Sequence, residues 1–162
     1  MLLITFKSEA CIMAINMDDM TMEGYIGECG TVGSHFNDHR TQVNFKAVTG
    51  IAVSEESVFV SSYADKLVLA MNRETEMCSI RVKFDTGIFH LIYEYLTNTL
   101  YIAMMDGIAF KTLSDQSEVP SILIKNYGSG IGSFASTGFD HTRDMIMLDA
   151  EHLLVQDRDN NR

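Results

Sequence analysis

The sequence predicts an all-β protein assembled from repeated antiparallel units, on three observations. Short apolar runs of β-branched and aromatic residues follow one another at roughly ten-residue spacing, each bounded by polar turn residues. No stretch carries the 3.6-residue apolar stripe of an amphipathic helix. An apolar triplet, a polar break and a second apolar run recur in "LLITFKSEACIMAI" (2–15), "SVFVSSYADKLVLAM" (57–71), "TLYIAMMDGIAF" (99–110) and "DMIMLDAEHLLV" (144–155). The triplets begin at Leu2, Val58, Leu100 and Met145, so the later spacings are near 42 and 45 residues. That is the period of a four-stranded propeller blade. The first spacing is longer, and its excess falls in the polar segment "CGTVGSHFNDHRTQVNFKAV" (29–48).

The clearest unit places strand one at Gly50–Val53, strand two at Ser57–Tyr63, strand three at Lys66–Asn72 and strand four at Met77–Lys83. The turns between them are Ser54-Glu55-Glu56 and Arg73-Glu74-Thr75. The next unit runs Gly87–Tyr95, Thr99–Met105, Gly107–Leu113 and Pro120–Asn126. The chain opens on a second strand, Leu2–Phe6, and its last run, His152–Asp157, reads as a third strand. The expected blades are therefore 1–29, 50–83, 87–126 and 134–162, with a long inter-blade loop over 29–48. This is an incomplete ring of about four blades, the first and last partial.

Bulk properties narrow the classes. With 162 residues, 46% of them apolar and 21% charged, the chain is long enough for one domain with a real core. A formal charge of −10 opposes the Lys/Arg balance that phosphate recognition needs, so no nucleic-acid partner is expected. No run of about 18 apolar residues exists, so no membrane span is expected. Met1 to Phe6 are apolar but lack a basic leader and meet Lys7, Ser8 and Glu9 too soon to read as a signal peptide.

"TGIAVSEESVFVSSYADKLVLAM" (49–71) resembles the NHL repeat, with its Gly-Ile-Ala-Val strand, acidic turn, second strand and polar break. "YIGECGTVGSHFNDHRTQVNFKAVTGIAV" (25–53) resembles the Gly-rich crossing that leads into such a strand. The resemblance is good over 22–72, fair over 84–125 and weak over 130–158. The family's usual Pro before Gly-Ile-Ala is Thr49 here, and its usual Ala-Asp is Ser61-Ser62. The resemblance implies part of a propeller that is most often six-bladed, with missing blades or another chain needed to close the ring.

Cys11 and Cys29 fall on neighbouring strands of a hairpin whose turn centres near Asp19-Met20, so they are a disulfide candidate, with two reduced thiols as the alternative. Cys78 has no partner across its own hairpin. The cysteines show no zinc-ligand spacing. His35 and His39, four apart in "GSHFNDHR" with Asp38 between them, are metal-ligand candidates; that spacing puts both imidazoles on one face only on a helix, this Gly-rich stretch has no helical pattern, and a solvated loop is the alternative. In propeller enzymes, inner-strand His and carboxylates hold a metal on the axis, and the matching candidates here are His90, Asp140 and His141. "GSGIGSFASTG" (128–138) lacks the following helix of a phosphate loop and reads as a blade connection. "DRDNNR" (157–162) alternates acids and amides like half a calcium loop, without its Gly or closing Glu. No cofactor is expected.

The expected function is a non-enzymatic module that binds a protein or glycan partner through propeller loops, within a larger secreted or cell-surface protein. The alternative is a metal-dependent hydrolase or lyase with its site on the central axis. A reducing, cytoplasmic setting is the alternative location, and the state of Cys11 and Cys29 separates the two.

Overall fold

The computed structural model describes residues 1–114, 119–125, 138–149 and 152–160. Among these, thirteen strands form and no helix does, as the absence of a 3.6-residue stripe predicts. The first sheet holds β1 (Leu2–Phe6), β2 (Cys11–Ile15) and β3 (Met22–Ile26). The second holds β4 (Val48–Val53), β5 (Ser57–Ser62), β6 (Leu67–Asn72) and β7 (Cys78–Lys83). The third holds β8 (Ile88–Glu94), β9 (Thr99–Met104), β10 (Gly107–Thr112) and β11 (Ser121–Lys125). The fourth pairs β12 (Thr142–Met147) with β13 (Leu153–Asp157). Every sheet is an antiparallel meander whose strands neighbour one another in chain order.

The sheets stack face to face, and each junction is an apolar cluster. Between the first and second sheets lie Ile12, Ile26, Val58, Val60, Leu69 and Met71. Ala52, Phe59 and Val68 meet Ile88, Leu91, Leu100 and Ile102 at the next junction. Ala103, Ile108 and Ile124 meet Phe139 and Met145 at the last. A strand covered on both faces needs apolar residues on both, which is why "SVFVSS" reads as a continuous run. Burying each such Val, Leu, Ile or Phe contributes about 1.5–3 kcal/mol.

One backbone unit recurs in the second, third and fourth sheets. Its inner strand, β4, β8 or β12, slips register by one residue at Thr49, Phe89 and Arg143 respectively, which is a β-bulge at the same place each time. A backbone bond then closes each inner hairpin: Tyr63 N to Ala47 O at 2.8 Å, Met105 N to Gly87 O at 2.9 Å, and Arg158 N to His141 O at 3.3 Å. A second bulge recurs where the third strand meets the fourth, at Ile12/Met13, Val68/Leu69 and Ile108/Ala109.

The first sheet matches strands two to four of this unit. Ala10 and Lys66 both take positive φ, 54° and 58°, just before β2 and β6. "NMDDMT" (16–21) and "NRETEM" (72–77) fold alike: Met20 N bonds Asn16 O and Glu76 N bonds Asn72 O, both at 2.9 Å. In both turns the Asn side-chain oxygen takes the amide two residues on, Asp18 N or Glu74 N, at 3.0 Å.

Two expectations need correction. His152–Asp157 is the second strand of its sheet, not the third. Thr142 faces Asp157 as Val48 faces Ser62 and Ile88 faces Met104, and β12 packs on β8 as β8 packs on β4. Met145 therefore sits on an inner strand, and Leu153 is the residue that matches Val58 and Leu100. An apolar triplet occurs on first and second strands alike, so the triplet alone could not tell them apart. The segment 29–48 is also more than a polar loop. Val43 and Phe45 are fully buried in the first junction. Its backbone is pinned by Gly27 N to Arg40 O at 2.7 Å and Cys78 N to Asp38 O at 2.8 Å. The expected connection over 128–137 lies outside the described residues.

Candidate functional site

The repeated bulge turns side chains out at one end of the inner strands, and the residues there differ from sheet to sheet. The bulge position holds Thr49, Phe89 and Arg143, and the residue after it is Gly50, His90 or Asp144. These side chains touch across the sheets. Thr49 Oγ1 donates to Ile88 O at 2.7 Å. The Arg143 guanidinium lies 4.2 Å from the Phe89 ring centroid, a cation–π stack. His90 Nδ1 is 3.2 Å from Asp144 Oδ1.

Gly50 is glycine for a steric reason. A Cβ there would stand 2.8 Å from Ser61 Oγ, closer than real side chains come, and a tight 3.1 Å from the His90 backbone. Gly87 is the second such position. Its missing Cβ would fall 2.2 Å from Tyr63, whose ring packs on Phe89 at 4.9 Å between centroids.

His141 precedes β12 and belongs to the same row. Its N–H donates to Met105 O at 2.8 Å, and its ring is 5.9 Å from Phe89. Its φ is +58°, a left-handed conformation that costs a non-glycine residue about 1–3 kcal/mol. Its Nδ1 stands 2.8 Å from both Asp140 Oδ1 and Asp159 Oδ2. The turn after β13 holds these acids in place: Asp159 N donates to Asp140 O at 3.1 Å, and Asp140 N donates to the buried Asp157 at 2.9 Å. Asn160 Nδ2 donates to the other Asp157 oxygen at 2.7 Å.

Of the axial candidates, Asp140 and His141 come together, and His90 does not join them; it pairs with Asp144. Asp159 completes the trio, and among the described residues this is the one group of His, Cys or carboxylates placed closely enough to share a cation, with ligand atoms within 4.8 Å of one another. The fit to a metal is partial. Ligands about 2.0–2.2 Å from a tetrahedral ion stand roughly 3.4 Å apart, whereas these carboxylates lie at hydrogen-bonding distance from the nitrogen. In this geometry one ring N–H serves two carboxylates, and a metal requires them to open. Asp159 lies in the acid-and-amide stretch 157–162 that the sequence marks, whereas Asp144 carried no signal before the register was known.

His35 and His39 hold separate partners. His35 Nε2 is 3.1 Å from Asp38 Oδ2, and His39 Nε2 is 3.0 Å from Glu76 Oε2. The His35 ring holds the Asp38 carboxyl below its ordinary value, and Arg40, then His39, do the same for Glu76. Both carboxyls are solvated, so each pair contributes little to stability.

Cys11 and Cys29 form a disulfide with Cα atoms 5.0 Å apart. It ties β2 to the residues just after β3. Cys78 is buried among apolar neighbours, which pushes its thiol up to about 12.

Among solved structures, the fold is similar to a structural genomics protein of unknown function from Bacteroides thetaiotaomicron, with a TM-score of 0.56 and 13% identity. The match covers 62% of this chain but 29% of that protein, so this chain spans under a third of its length. At that identity the likeness concerns the fold alone. No protein-family profile and no curated protein matches the chain.

Proposed function

We propose that the chain is an arc of an NHL-like β-propeller and serves as a binding module for a protein or glycan partner, within a larger secreted or cell-surface protein. The observation that carries this reading is a constant backbone with a changing rim. The bulge and its closing hydrogen bond recur three times, while the rim side chains change from Thr49 and Gly50 to Phe89 and His90 to Arg143 and Asp144. A fixed scaffold with varied side chains at one end is how recognition surfaces are built. The rim joins an aromatic–guanidinium stack to Asp140, Asp144 and Asp159, a chemistry suited to a cationic side chain or to sugar hydroxyls. The disulfide supports an oxidising compartment over the reducing cytoplasm.

The test is to screen the chain against basic peptides and an oligosaccharide array, then to repeat any hit with Asp144→Asn/Asp159→Asn. The reading expects a hit that the double variant weakens at least about tenfold, with peptide binding falling as salt rises. Binding indifferent to both substitutions, or no hit in either screen, counts against it.

A second reading, a metal-dependent hydrolase or lyase, rests on the Asp140–His141–Asp159 trio. Calorimetric titration with Zn²⁺, Mn²⁺ and Ca²⁺ separates the two. Stoichiometric binding lost in Asp159→Asn would favour the enzyme, and no heat would leave the binding module.

A further inference from the structure

The two ends of the sheet stack present the two halves of an interface that the chain makes repeatedly inside itself. At the second and third junctions, one sheet inserts a pair from its first and second strands into the next. In the second sheet the pair is Ala52 and Phe59, opposite each other in register and buried against the third. The third sheet inserts Ile92 and Tyr101 against the fourth. The same register positions in the fourth sheet are Ile146 and Leu154. These are 62% and 53% exposed, against 2% for Phe59.

The receiving half is at the other end. The second sheet receives the first with Val58, Val60, Leu69 and Met71, all essentially buried. The paired hairpins at Asn16 and Asn72 make Leu2, Ile4, Met13 and Ile15 their equivalents in the first sheet. Leu3, which corresponds to Phe59, points the other way and packs against the second sheet. Leu2 is 47% exposed, and Ile4, Met13 and Ile15 are half-buried.

We propose that a second copy of this chain docks head to tail, placing Ile146 and Leu154 of one copy against Leu2, Ile4, Met13 and Ile15 of the other. The second copy is the occupant because both halves sit on one molecule and the junction already forms within it, so a neighbouring copy presents the matching face in the matching register. The contact is heterologous, so it either closes a ring or extends a filament. It rests on reading the chain as a propeller arc. Because each copy carries a formal charge of −10, association should strengthen with added salt.

The experiment is sedimentation equilibrium of the full chain from micromolar to near-millimolar concentration, at low and high salt, with Ile146→Asp and Ile4→Asp prepared alongside. Melting curves and an intact disulfide check that both variants are folded. The expected result is a wild-type dimer or larger assembly favoured by salt and two monomeric variants. An equimolar mixture of the two then forms dimers and nothing larger, since each variant keeps one complementary face. A wild-type monomer at every concentration overturns the proposal, as it would if another chain covers these faces. So does a mixture that stays monomeric, or association that survives both substitutions. The rim screen is run on the monomeric variants, so loss of self-association and loss of partner binding are read separately.

Discussion

Reducing the Cys11–Cys29 disulfide should destabilise the fold by an amount set by the loop it closes. The bonded residues are 18 apart in sequence, and a crosslink of that span removes about 3 kcal/mol of freedom from the denatured chain. For a protein of this size, that corresponds to a loss of about 6–12 °C in Tm. Cys11 is fully buried, so its reduced thiol stays packed and the difference reports the crosslink rather than a cavity. The assay is a circular-dichroism melt with and without a phosphine reductant. A Cys11→Ala/Cys29→Ala variant serves as control, and its midpoint should ignore the reductant. A wild-type shift below about 2 °C would instead show that the hairpin is equally constrained without the bond.

Other outcomes follow from single contacts. Cys78, with its thiol near 12, should carry thiolate on only about one molecule in ten thousand at pH 8. Iodoacetamide should then leave the native protein unlabelled and modify Cys78 alone in denaturant without reductant, as read by intact mass. The same burial makes stability alkali-sensitive. The unfolded thiol ionises near 9.0 and the folded one near 12, so stability is full below pH 9 and falls by roughly 1.4 kcal/mol per pH unit between the two values. Urea midpoints across that window, compared with Cys78→Ala, isolate the effect. Gly87→Ala should cost about 1–3 kcal/mol by driving a methyl into the Tyr63 ring, and most of the cost should vanish in a Tyr63→Ala background. Asn72→Ala removes the acceptor of Glu74 N and Thr75 N and should lower stability by about 1 kcal/mol in urea titration.

The strands of the second and third sheets were legible because each carries an apolar run broken by a polar turn, and the observed bounds fall within a residue or two of the expected ones. In the fourth sheet "MIM" on β12 and "LLV" on β13 are equally apolar, so the sequence does not tell first strand from second. What tells them apart is which strand packs on β8, a tertiary fact. The segment 29–48 reads as polar because Val43 and Phe45 are isolated among Asn, Gln, Thr and His, yet backbone bonds at Arg40 and Asp38 hold the segment so that both reach the core. The disulfide pair was visible from hairpin symmetry. Of the three candidates, Asp140 and His141 are neighbours in sequence and in space, whereas the partners Asp144 of His90 and Asp159 of His141 give no signal in the spacing. A bulge moves His90 toward Asp144, and the turn after β13 carries Asp159 to His141, and neither movement leaves a pattern in spacing.

One backbone unit recurs in the second, third and fourth sheets while its side chains change. Amide hydrogen exchange at the three closing bonds tests it most directly, because Tyr63, Met105 and Arg158 fall at equivalent places in three sheets of quite different sequence. All three amides should be protected as strand amides are. Protection at Tyr63 with free-turn exchange at Met105 or Arg158 would contradict it.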